Sequence, residues 1–384
     1  RTASRRNSGV GRFPCDIEHL LVPQLALSTF PGQVHADLGG PSEIVDEETL
    51  RDLLTKAASG QGLAVDPDFL FDEWTLIVDA WNVKDAESYK ELPRLGRKVR
   101  MAASRREALW TVFDAVRSEL EEKGLKTEAM LAHKLRYAGA FPFDHAIVDE
   151  AQDISVAELM LLGSALGSAK NGLFFAGDIG QRIFRAPFPW AAAGVDVRGR
   201  SRSLKVNYRT SHQIRLRSDL LLPETLVEAD GSEEGRLGVT SVFDGPVPQI
   251  HRFQDPLEEI EALAEWTNWL SDQGVANSEI AVLVRHDNQV KDLKSSLGAG
   301  VRVMPMHDAK GAEFRAVAVA LLNHDVLPDE GRLLAARDEG QLDEVMSTER
   351  HLLYVAATRA RDFLWLSGVE PVSEFLSDLL EHRQ

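Results

Sequence analysis

Cysteine is almost absent from this 384-residue sequence, in which Cys15 is the single example. One cysteine excludes an intrachain disulfide framework and any zinc site built from several cysteines. Long apolar runs are lacking as well: Val317–Leu322 is among the longest, far short of the roughly 20 residues that span a bilayer. We therefore predict no transmembrane helix, no signal peptide and a reducing, cytoplasmic setting.

Positive charge is scarce too, since the sequence has 43 lysines and arginines but 60 aspartates and glutamates, which gives a formal net charge of -17. A protein that coats nucleic acid through bulk electrostatics needs the opposite balance, because phosphate affinity comes from placed lysines and arginines. Any contact with DNA must therefore be a local track of basic side chains. Hydrophobic residues make up 44% of the chain, enough for the cores of two or three domains.

The character of the chain changes along its length. Residues 1–44 mix arginine, glycine and proline without a sustained period, and we interpret them as an irregular N-terminal remnant. Leu50, Leu53 and Leu54 begin a region of helical spacing, which predicts a helical domain over residues 45–140. Because the first residue is Arg and not Met, we expect the sequence to begin inside a longer gene product.

From Phe143 onwards, short apolar segments alternate with helical patterns, which is typical of an α/β fold with a parallel sheet. His145–Val148 and Leu173–Ala176 are predicted to be buried strands with the helix Val156–Leu166 between them, all within a first α/β unit over residues 141–200. A second α/β unit over residues 201–384 has predicted strands near Glu279–Val284, Val301–Met304 and Ala316–Leu321, and predicted helices near Leu257–Leu270 and Thr348–Ala360.

Consecutive acids, Asp149 and Glu150, follow the first of these strands. Ligands of open α/β sheets bind at the carboxyl ends of the strands. There, one carboxylate can hold Mg²⁺ while its neighbour orients or deprotonates an attacking water. The alternative is purely structural, with Asp153 capping the next helix.

Two further segments combine polar groups suited to a nucleotide. Asp178 ends the next strand and Gln181 follows it, so that the neutral side-chain amide of Gln181 can contact a terminal phosphate. The alternative is a simple Gly-Asp turn followed by a solvated glutamine. Tyr208 and Arg209 offer a planar ring beside a guanidinium, which suits stacking on a base while the charge meets a phosphate.

The last two segments lie in the second α/β unit. Lys310 can lie against a nucleic-acid phosphate, whereas a lone histidine such as His307 is more often structural. Arg359 follows an apolar helical pattern and can project toward a transferring phosphoryl group.

In sequence order, these five segments resemble helicase motifs II to VI of the UvrD/Rep family of superfamily 1 DNA helicases. They are residues 149–153 (Asp-Glu-Ala-Gln-Asp), 177–183 (Gly-Asp-Ile-Gly-Gln-Arg-Ile), 207–209 (Asn-Tyr-Arg), 307–314 (His-Asp-Ala-Lys-Gly-Ala-Glu-Phe) and 354–360 (Tyr-Val-Ala-Ala-Thr-Arg-Ala). Five matches in order are far more specific than any one of them. The resemblance covers about Phe143 to Gly368, and residues 45–140 suit the accessory helical domain of this family.

The resemblance implies two RecA-like P-loop NTPase-type domains, the first one incomplete and carrying the helical insertion. It implies a bacterial-type cytoplasmic helicase or translocase, of the kind used in DNA repair, that hydrolyses ATP with Mg²⁺ and moves 3′ to 5′ along single-stranded or partly duplex DNA. Protein partners are not implied.

The resemblance also implies a role for each matched residue. For the metal and catalysis, Asp149 binds Mg²⁺ and Glu150 is the catalytic carboxylate. For the nucleotide, Gln181 senses the γ-phosphate, Arg209 and Arg359 reach it, Tyr208 stacks on adenine, and Glu313 lies near the ribose and phosphates. For DNA, His307 and Lys310 face the single strand, and Phe184 or Trp190 stacks on bases. Trp190 has a structural alternative, because a tryptophan flanked by proline often simply packs.

The sequence departs from the family pattern in several places. It contains no Gly-Lys-Ser or Gly-Lys-Thr, so the phosphate-binding loop is missing, and we expect a truncation and an isolated chain that hydrolyses ATP weakly or not at all. The interval between Arg285 and His307 is too short for the large insertion of bigger relatives. Ala312 replaces the usual leucine. Pro305 has no backbone N–H, so one DNA-phosphate contact expected from the family lacks its donor.

Two alternatives remain open at this point. The first is a catalytically silent helicase-like module that binds DNA or a protein. The second is a metal-dependent nuclease, because paired carboxylates with Mg²⁺ also cleave phosphodiesters. The nuclease hypothesis leaves Gln181, Arg209 and Arg359 without a role.

Overall fold

The structure is a computed structural model that describes residues 43–93, 101–138, 143–178, 190–223, 225–227, 233–235, 239–336 and 339–381. The predicted site residues Gln181 and Phe184 lie outside this part of the chain. In the described ranges, no helix is both long enough and apolar enough to cross a membrane.

The helical region covers residues 43–138, close to the predicted domain. Its elements are β1 (Glu43–Ile44), α1 (Glu47–Gly60), α2 (Pro67–Glu73), α3 (Ala86–Glu91), α4 (Ala103–Glu122), β2 (Leu125–Lys126) and α5 (Glu128–Ala138), and β1 pairs in parallel with β2. Asp46 begins α1, since its carboxylate accepts a hydrogen bond from the Thr49 amide at 2.7 Å. Trp74, Tyr89 and Phe113 are fully or almost fully buried and form an aromatic core between the helices.

The two-stranded region follows, with β3 (Ala146–Val148), α6 (Val156–Leu166) and β4 (Leu173–Phe175), and the strands pair in parallel. The predicted helix is confirmed, and a reciprocal capping box between Ser155 and Glu158 begins it. The prediction of buried strands is wrong for one face of this sheet. Ile147 and Phe174 are paired across the strands there and are 70% and 62% exposed.

The five-stranded region occupies the rest of the described chain and is built around a parallel sheet. Its elements are β5 (Val206–Asn207), α7 (His212–Asp219), β6 (Thr225–Val227), β7 (Glu233–Gly235), β8 (Thr240–Ser241), β9 (Gln249–Phe253), α8 (Pro256–Asp272), β10 (Ile280–Val284), α9 (Asp287–Lys294), β11 (Arg302–Pro305), β12 (Phe314–Val319), α10 (Glu330–Ala335), α11 (Glu339–Ala357), β13 (Ala360–Val369) and α12 (Glu374–Glu381). The sheet order is β11-β10-β12-β13-β9, β5 pairs in parallel with β8, and β6 with β7 forms an antiparallel hairpin.

Helices cover both faces of the five-stranded sheet. Successive residues of a strand point to opposite faces, so Val282 packs with α8 and α9, while Leu283 packs with α7, α11 and α12. Every residue of β10 is buried. This uniform burial explains why the central strands were predictable from continuous apolar runs.

The predicted helix Thr348–Ala360 is wrong at both ends. The helix α11 begins earlier and ends at Ala357. Ala360 instead begins β13 and pairs with Phe314 of β12, which requires extended backbone. Arg359 therefore lies in the turn between helix and strand and not on the helix itself.

A buried carboxylate, Glu349, joins α11 to the end of β10. It is 0% exposed and accepts hydrogen bonds from Arg285 at 2.8 and 2.9 Å and from Arg332 at 2.6 Å.

We expect Glu349→Ala to lower the free energy of unfolding by about 3 kcal/mol, because the largely buried Arg285 loses its partner. Urea denaturation measures this change, with the exposed Asp343→Ala on the same helix as control. A loss no larger than that of the control would contradict the assigned role of Glu349.

Candidate functional site

The acidic side of the site is formed by the turns that follow β3 and β4. These turns are tied together, since the Ala176 amide donates to the Val148 carbonyl and the Ala151 amide donates to the Ala176 carbonyl, both at 2.8 Å. Between them, Glu150 has left-handed backbone geometry with φ of 50°, which is uncommon for a residue other than glycine. The Asp149 carboxylate accepts the Glu150 amide at 2.9 Å. Both predicted acids therefore lie at the carboxyl end of the sheet.

Gln152 fixes this arrangement and was assigned no role by the sequence reasoning. It is 5% exposed, its Nε2 donates to Glu150 Oε2 at 2.6 Å, and its Oε1 accepts the Asp178 amide at 3.0 Å. Gly177 leaves room for it, because a Cβ there would lie 2.9 Å from the Ala151 nitrogen and would also collide with the Gln152 amide. One buried side chain thus positions the Glu150 carboxylate against both turns.

The opposite side of the site begins at β5. The Asn207 side-chain oxygen accepts hydrogen bonds from the amides of Arg209 at 2.8 Å and Thr210 at 3.1 Å, a turn that asparagine favours. This turn leaves the Tyr208 ring 75% exposed. Arg209 forms an ion pair with Glu313, the acid that precedes β12. The sequence singled out Tyr208, Arg209 and Glu313, whereas the positioning role of Asn207 was not foreseen.

Arg359 connects the two sides. It is 1% exposed, and its Nε donates to the Val355 carbonyl at 3.0 Å. Burial lowers the pKa of its guanidinium and the charge of Arg209 lowers it further, while the carboxylates of Glu150 and Asp178 act in the opposite direction. The carboxylates that follow β3 and β4 therefore act on an arginine of the five-stranded region.

Lys310 makes a second link between these regions. Its ammonium group pairs with the carboxylate of Asp153, and the two side chains are 12% and 29% exposed. Lys310, predicted to face single-stranded DNA, is therefore placed against the acidic turn rather than on an open surface. His307, also predicted to face DNA, has a side chain that is 40% exposed, with its Nε2 at 3.4 Å from Asp308 Oδ1.

Trp190 corrects one prediction about stacking. Its ring is 6% exposed and packs edge to face against Phe175, with 4.7 Å between the ring centroids. A ring buried in this way contributes to the core and offers no face to a base. The packing alternative is the one that the structure contains.

The donor set around Asp149 and Glu150 suits Mg²⁺ that arrives with a nucleotide. Among the described residues, no three His, Cys, Asp or Glu side chains are grouped to hold a metal by themselves. Mg²⁺ bound to nucleotides generally uses one or two protein carboxylates together with phosphate oxygens and water. Asp149 can supply such a carboxylate, and Arg209 and Arg359 carry positive charge of the kind that phosphates bind.

Comparison with known proteins gives matches to DNA helicases. Residues 294–370, which include Lys310, Glu313 and Arg359, match the UvrD-like helicase C-terminal domain. A "Probable DNA helicase" of Mycoplasma pneumoniae is 25% identical over 243 residues, covering 59% of this chain and 43% of that protein. The ATP-dependent DNA helicase PcrA of Staphylococcus aureus is 38% identical over 143 residues, covering 37% of this chain and 17% of that protein.

Among solved structures, the C-terminal domain of a possible DNA helicase from Lactobacillus plantarum WCFS1 aligns with 20% identity and a TM-score of 0.31, covering 45% of this chain and 94% of that one. The chain spans less than half the length of both curated relatives described above, with 43% and 17% covered.

Proposed function

Because the chain belongs to the UvrD/PcrA type of superfamily 1 helicases, we propose that it forms much of an ATP-dependent DNA translocase motor. Residues 141–200 and 201–384 would be the two RecA-like domains, and residues 45–140 the accessory helical domain. The observation that carries this proposal is the ion pair between Lys310 of the five-stranded region and Asp153 of the acidic turn, and the carboxylates of Glu150 and Asp178 also act on the buried Arg359. A nucleotide between them would contact catalytic groups of both.

The chemistry proposed for this cleft divides between its two sides. Asp149 would hold Mg²⁺, which neutralises charge on the β- and γ-phosphates when bound. Glu150 would accept the proton of the attacking water, with its carboxylate oriented by Gln152. Arg209 and Arg359 would stabilise negative charge on the transferring phosphoryl group. Tyr208, whose ring is 75% exposed, is available to stack on adenine.

Coupling to DNA requires that ATP changes the contact between the two sides. Glu150 and Asp153 belong to one side, and Arg359 and Lys310 to the other. Loss of the γ-phosphate removes a shared ligand, so the two sides can separate after hydrolysis. We propose that Lys310 leaves Asp153 and meets a DNA phosphate during this cycle, with movement 3′ to 5′ along one strand.

The direct test is ATP hydrolysis by the complete gene product with Mg²⁺, with and without single-stranded DNA. The proposal predicts hydrolysis that DNA stimulates, together with displacement of an annealed strand. If that protein binds DNA but hydrolyses no ATP, it is a silent binding module. If it cleaves labelled DNA with Mg²⁺ in the absence of ATP, the nuclease hypothesis replaces the motor.

Replacing Gln152 tests whether Glu150 needs its buried partner. We expect Gln152→Leu to lower kcat for ATP hydrolysis by about 10-fold to 100-fold, because a hydrogen bond to a charged group contributes about 1.5–3 kcal/mol. The KM for ATP should change little, since the buried Gln152 is bonded to the Glu150 carboxylate and the Asp178 amide and is assigned no contact with the nucleotide. The control is Gln213→Leu, which removes an amide hydrogen-bonded to Asp244 and Gly245 away from these acids. An unchanged kcat would rule out the positioning role.

A further inference from the structure

The helical region meets the acidic turns at residues 79–82, a segment that we call the joint. A π-helical turn, Trp74–Asp79, leads into the joint, and Asn82 at its other end has left-handed backbone geometry with φ of 54°. π-helical turns are rare and frequently lie at functional sites, and positive φ is uncommon for a residue other than glycine. The chain therefore departs from regular helical geometry on both sides of Ala80 and Trp81.

The joint packs against the part of the chain that carries Glu150. Ala80 belongs to the same buried cluster as Ala151, and Trp81 packs against that cluster as well as against the core of the helical region. Ala151 directly follows Glu150 in the acidic turn and is 3% exposed. Protein interiors are close-packed, so a displacement of one buried segment is felt by its neighbours. The joint thus lies where its position bears on the Glu150 carboxylate.

His133 on α5 holds the joint by its backbone. This histidine is 3% exposed, and its Nε2 lies 3.0 Å from the Ala80 carbonyl oxygen and 3.2 Å from the Asp79 carbonyl oxygen. Carbonyl oxygens only accept hydrogen bonds, so Nε2 carries a proton and donates it to both. One ring thereby fixes two consecutive peptide groups of the joint.

The other ring nitrogen of His133 indicates that this side chain does more than fill space. Burial lowers the pKa of the ring, so the ring is neutral at pH 7 and Nδ1 is a bare acceptor. Nδ1 is buried and has no hydrogen-bond partner among the described residues. A buried acceptor without a partner is unfavourable, and an apolar side chain of similar size would avoid that penalty. Packing alone therefore does not account for a histidine here, whereas the two bonds from Nε2 do.

The helix α5 reaches the acidic turn by a second route as well. Ala132, the neighbour of His133, packs with Ala157 and Leu161 on α6, the helix that follows this turn. The helix α5 therefore contacts the joint through His133 and α6 through Ala132. Coupling between distant parts of a protein is carried by such chains of packed and hydrogen-bonded side chains. A movement of α5 would reach the acidic turn through both of them.

We propose that His133 is a positioning residue for ATP hydrolysis, which holds the joint against Ala151 and thereby fixes the Glu150 carboxylate. This inference rests on the proposed function and gives the helical region a part in turnover. A general base must lie within hydrogen-bond reach of the water that it deprotonates, and a misplacement of about 1 Å can lower the rate by about 100-fold. Loss of the His133 hydrogen bonds therefore acts on kcat and leaves the groups assigned to nucleotide binding in place.

The test is steady-state ATP hydrolysis by variants of the complete gene product. The assays are run at pH 8, because burial raises the pKa of the Asp79 carboxyl in the joint to about 6 and this group is then ionised. His133→Leu should lower kcat by about 10-fold and change the KM for ATP by less than about 2-fold. His133→Gln should keep kcat within about 3-fold of wild type, because its amide N–H can replace the ring Nε2–H. His133→Asn is too short to do so and should behave like His133→Leu, which it replaces if the leucine variant does not fold.

A second measurement shows whether the effect passes through Glu150. In a Glu150→Gln background the general base is absent, so the further change His133→Leu should lower kcat by less than about 2-fold. A variant that merely loosens the fold would lower kcat by the same factor in both backgrounds. The control is Tyr89→Phe, which removes a buried 2.8 Å hydrogen bond to Glu73 elsewhere in the helical region and should keep the wild-type kcat.

The outcomes separate this inference from the proposed function. A folded His133→Leu variant with the wild-type kcat, or an equal loss in both backgrounds, would overturn the positioning role while the proposed function stands. A His133→Gln variant no more active than His133→Asn would overturn it too. If the unsubstituted gene product hydrolyses no ATP, the proposed function itself fails and the positioning role fails with it.

Discussion

Arg359→Ala is expected to lower kcat for DNA-stimulated ATP hydrolysis by about 1000-fold or more, because an arginine at a transferring phosphoryl group contributes that much to catalysis. Its guanidinium is buried, is subject to the charges of Glu150 and Asp178, and donates to the Val355 carbonyl at 3.0 Å. The effect should fall on kcat, since the charge acts most strongly when phosphate charge is redistributed.

Steady-state kinetics of the complete gene product measures this effect. Arg359→Lys is the second variant. It keeps a positive charge in the buried position, so it remains informative if Arg359→Ala does not fold. Arg361→Ala is the matched control, since that side chain is two residues away and 58% exposed. Circular dichroism confirms that each variant is folded. A folded Arg359→Ala variant with a kcat within a few-fold of wild type would remove Arg359 from the catalytic site.

Glu150→Gln is expected to lower kcat by at least about 100-fold, the usual contribution of a general base. The substitution keeps the shape of the side chain, and its amide oxygen can still accept the hydrogen bond that Gln152 now donates at 2.6 Å. Nucleotide affinity should therefore change little, because Asp149 and the arginines remain.

Two measurements separate these effects: equilibrium binding of a fluorescent ATP analogue, and steady-state hydrolysis. The control is Glu258→Gln, the same chemical change at an exposed position on α8. Normal turnover by Glu150→Gln would exclude Glu150 as the catalytic carboxylate. Loss of binding together with turnover would assign Glu150 to nucleotide binding instead.

The elements that the sequence predicted well are those whose local pattern and tertiary environment agree. The helix Val156–Leu166 combines an apolar period with a capping box at Ser155, so its start and its end were both readable. The central strand Ile280–Val284 is buried on both faces, which a continuous apolar run indicates. Asp149 and Glu150 were identifiable because acids directly follow a strand.

The contacts that organise the site join residues distant in sequence, and no local pattern indicates them. Gln152 reaches the amide of Asp178, 26 residues away. Lys310 pairs with Asp153 across 157 residues. The end of α11 was misplaced for the same reason, because pairing of Ala360 with Phe314 of a neighbouring strand overrides the helical apolar pattern.

The central claim is that carboxylates from the acidic turns and arginines from the five-stranded region act on one nucleotide. A crystal structure of the complete gene product with Mg²⁺ and a non-hydrolysable ATP analogue tests it most directly. The account predicts Mg²⁺ on Asp149 and the terminal phosphate in contact with Arg209 and Arg359. A nucleotide bound by one region alone, with Arg359 turned away from it, would contradict the account.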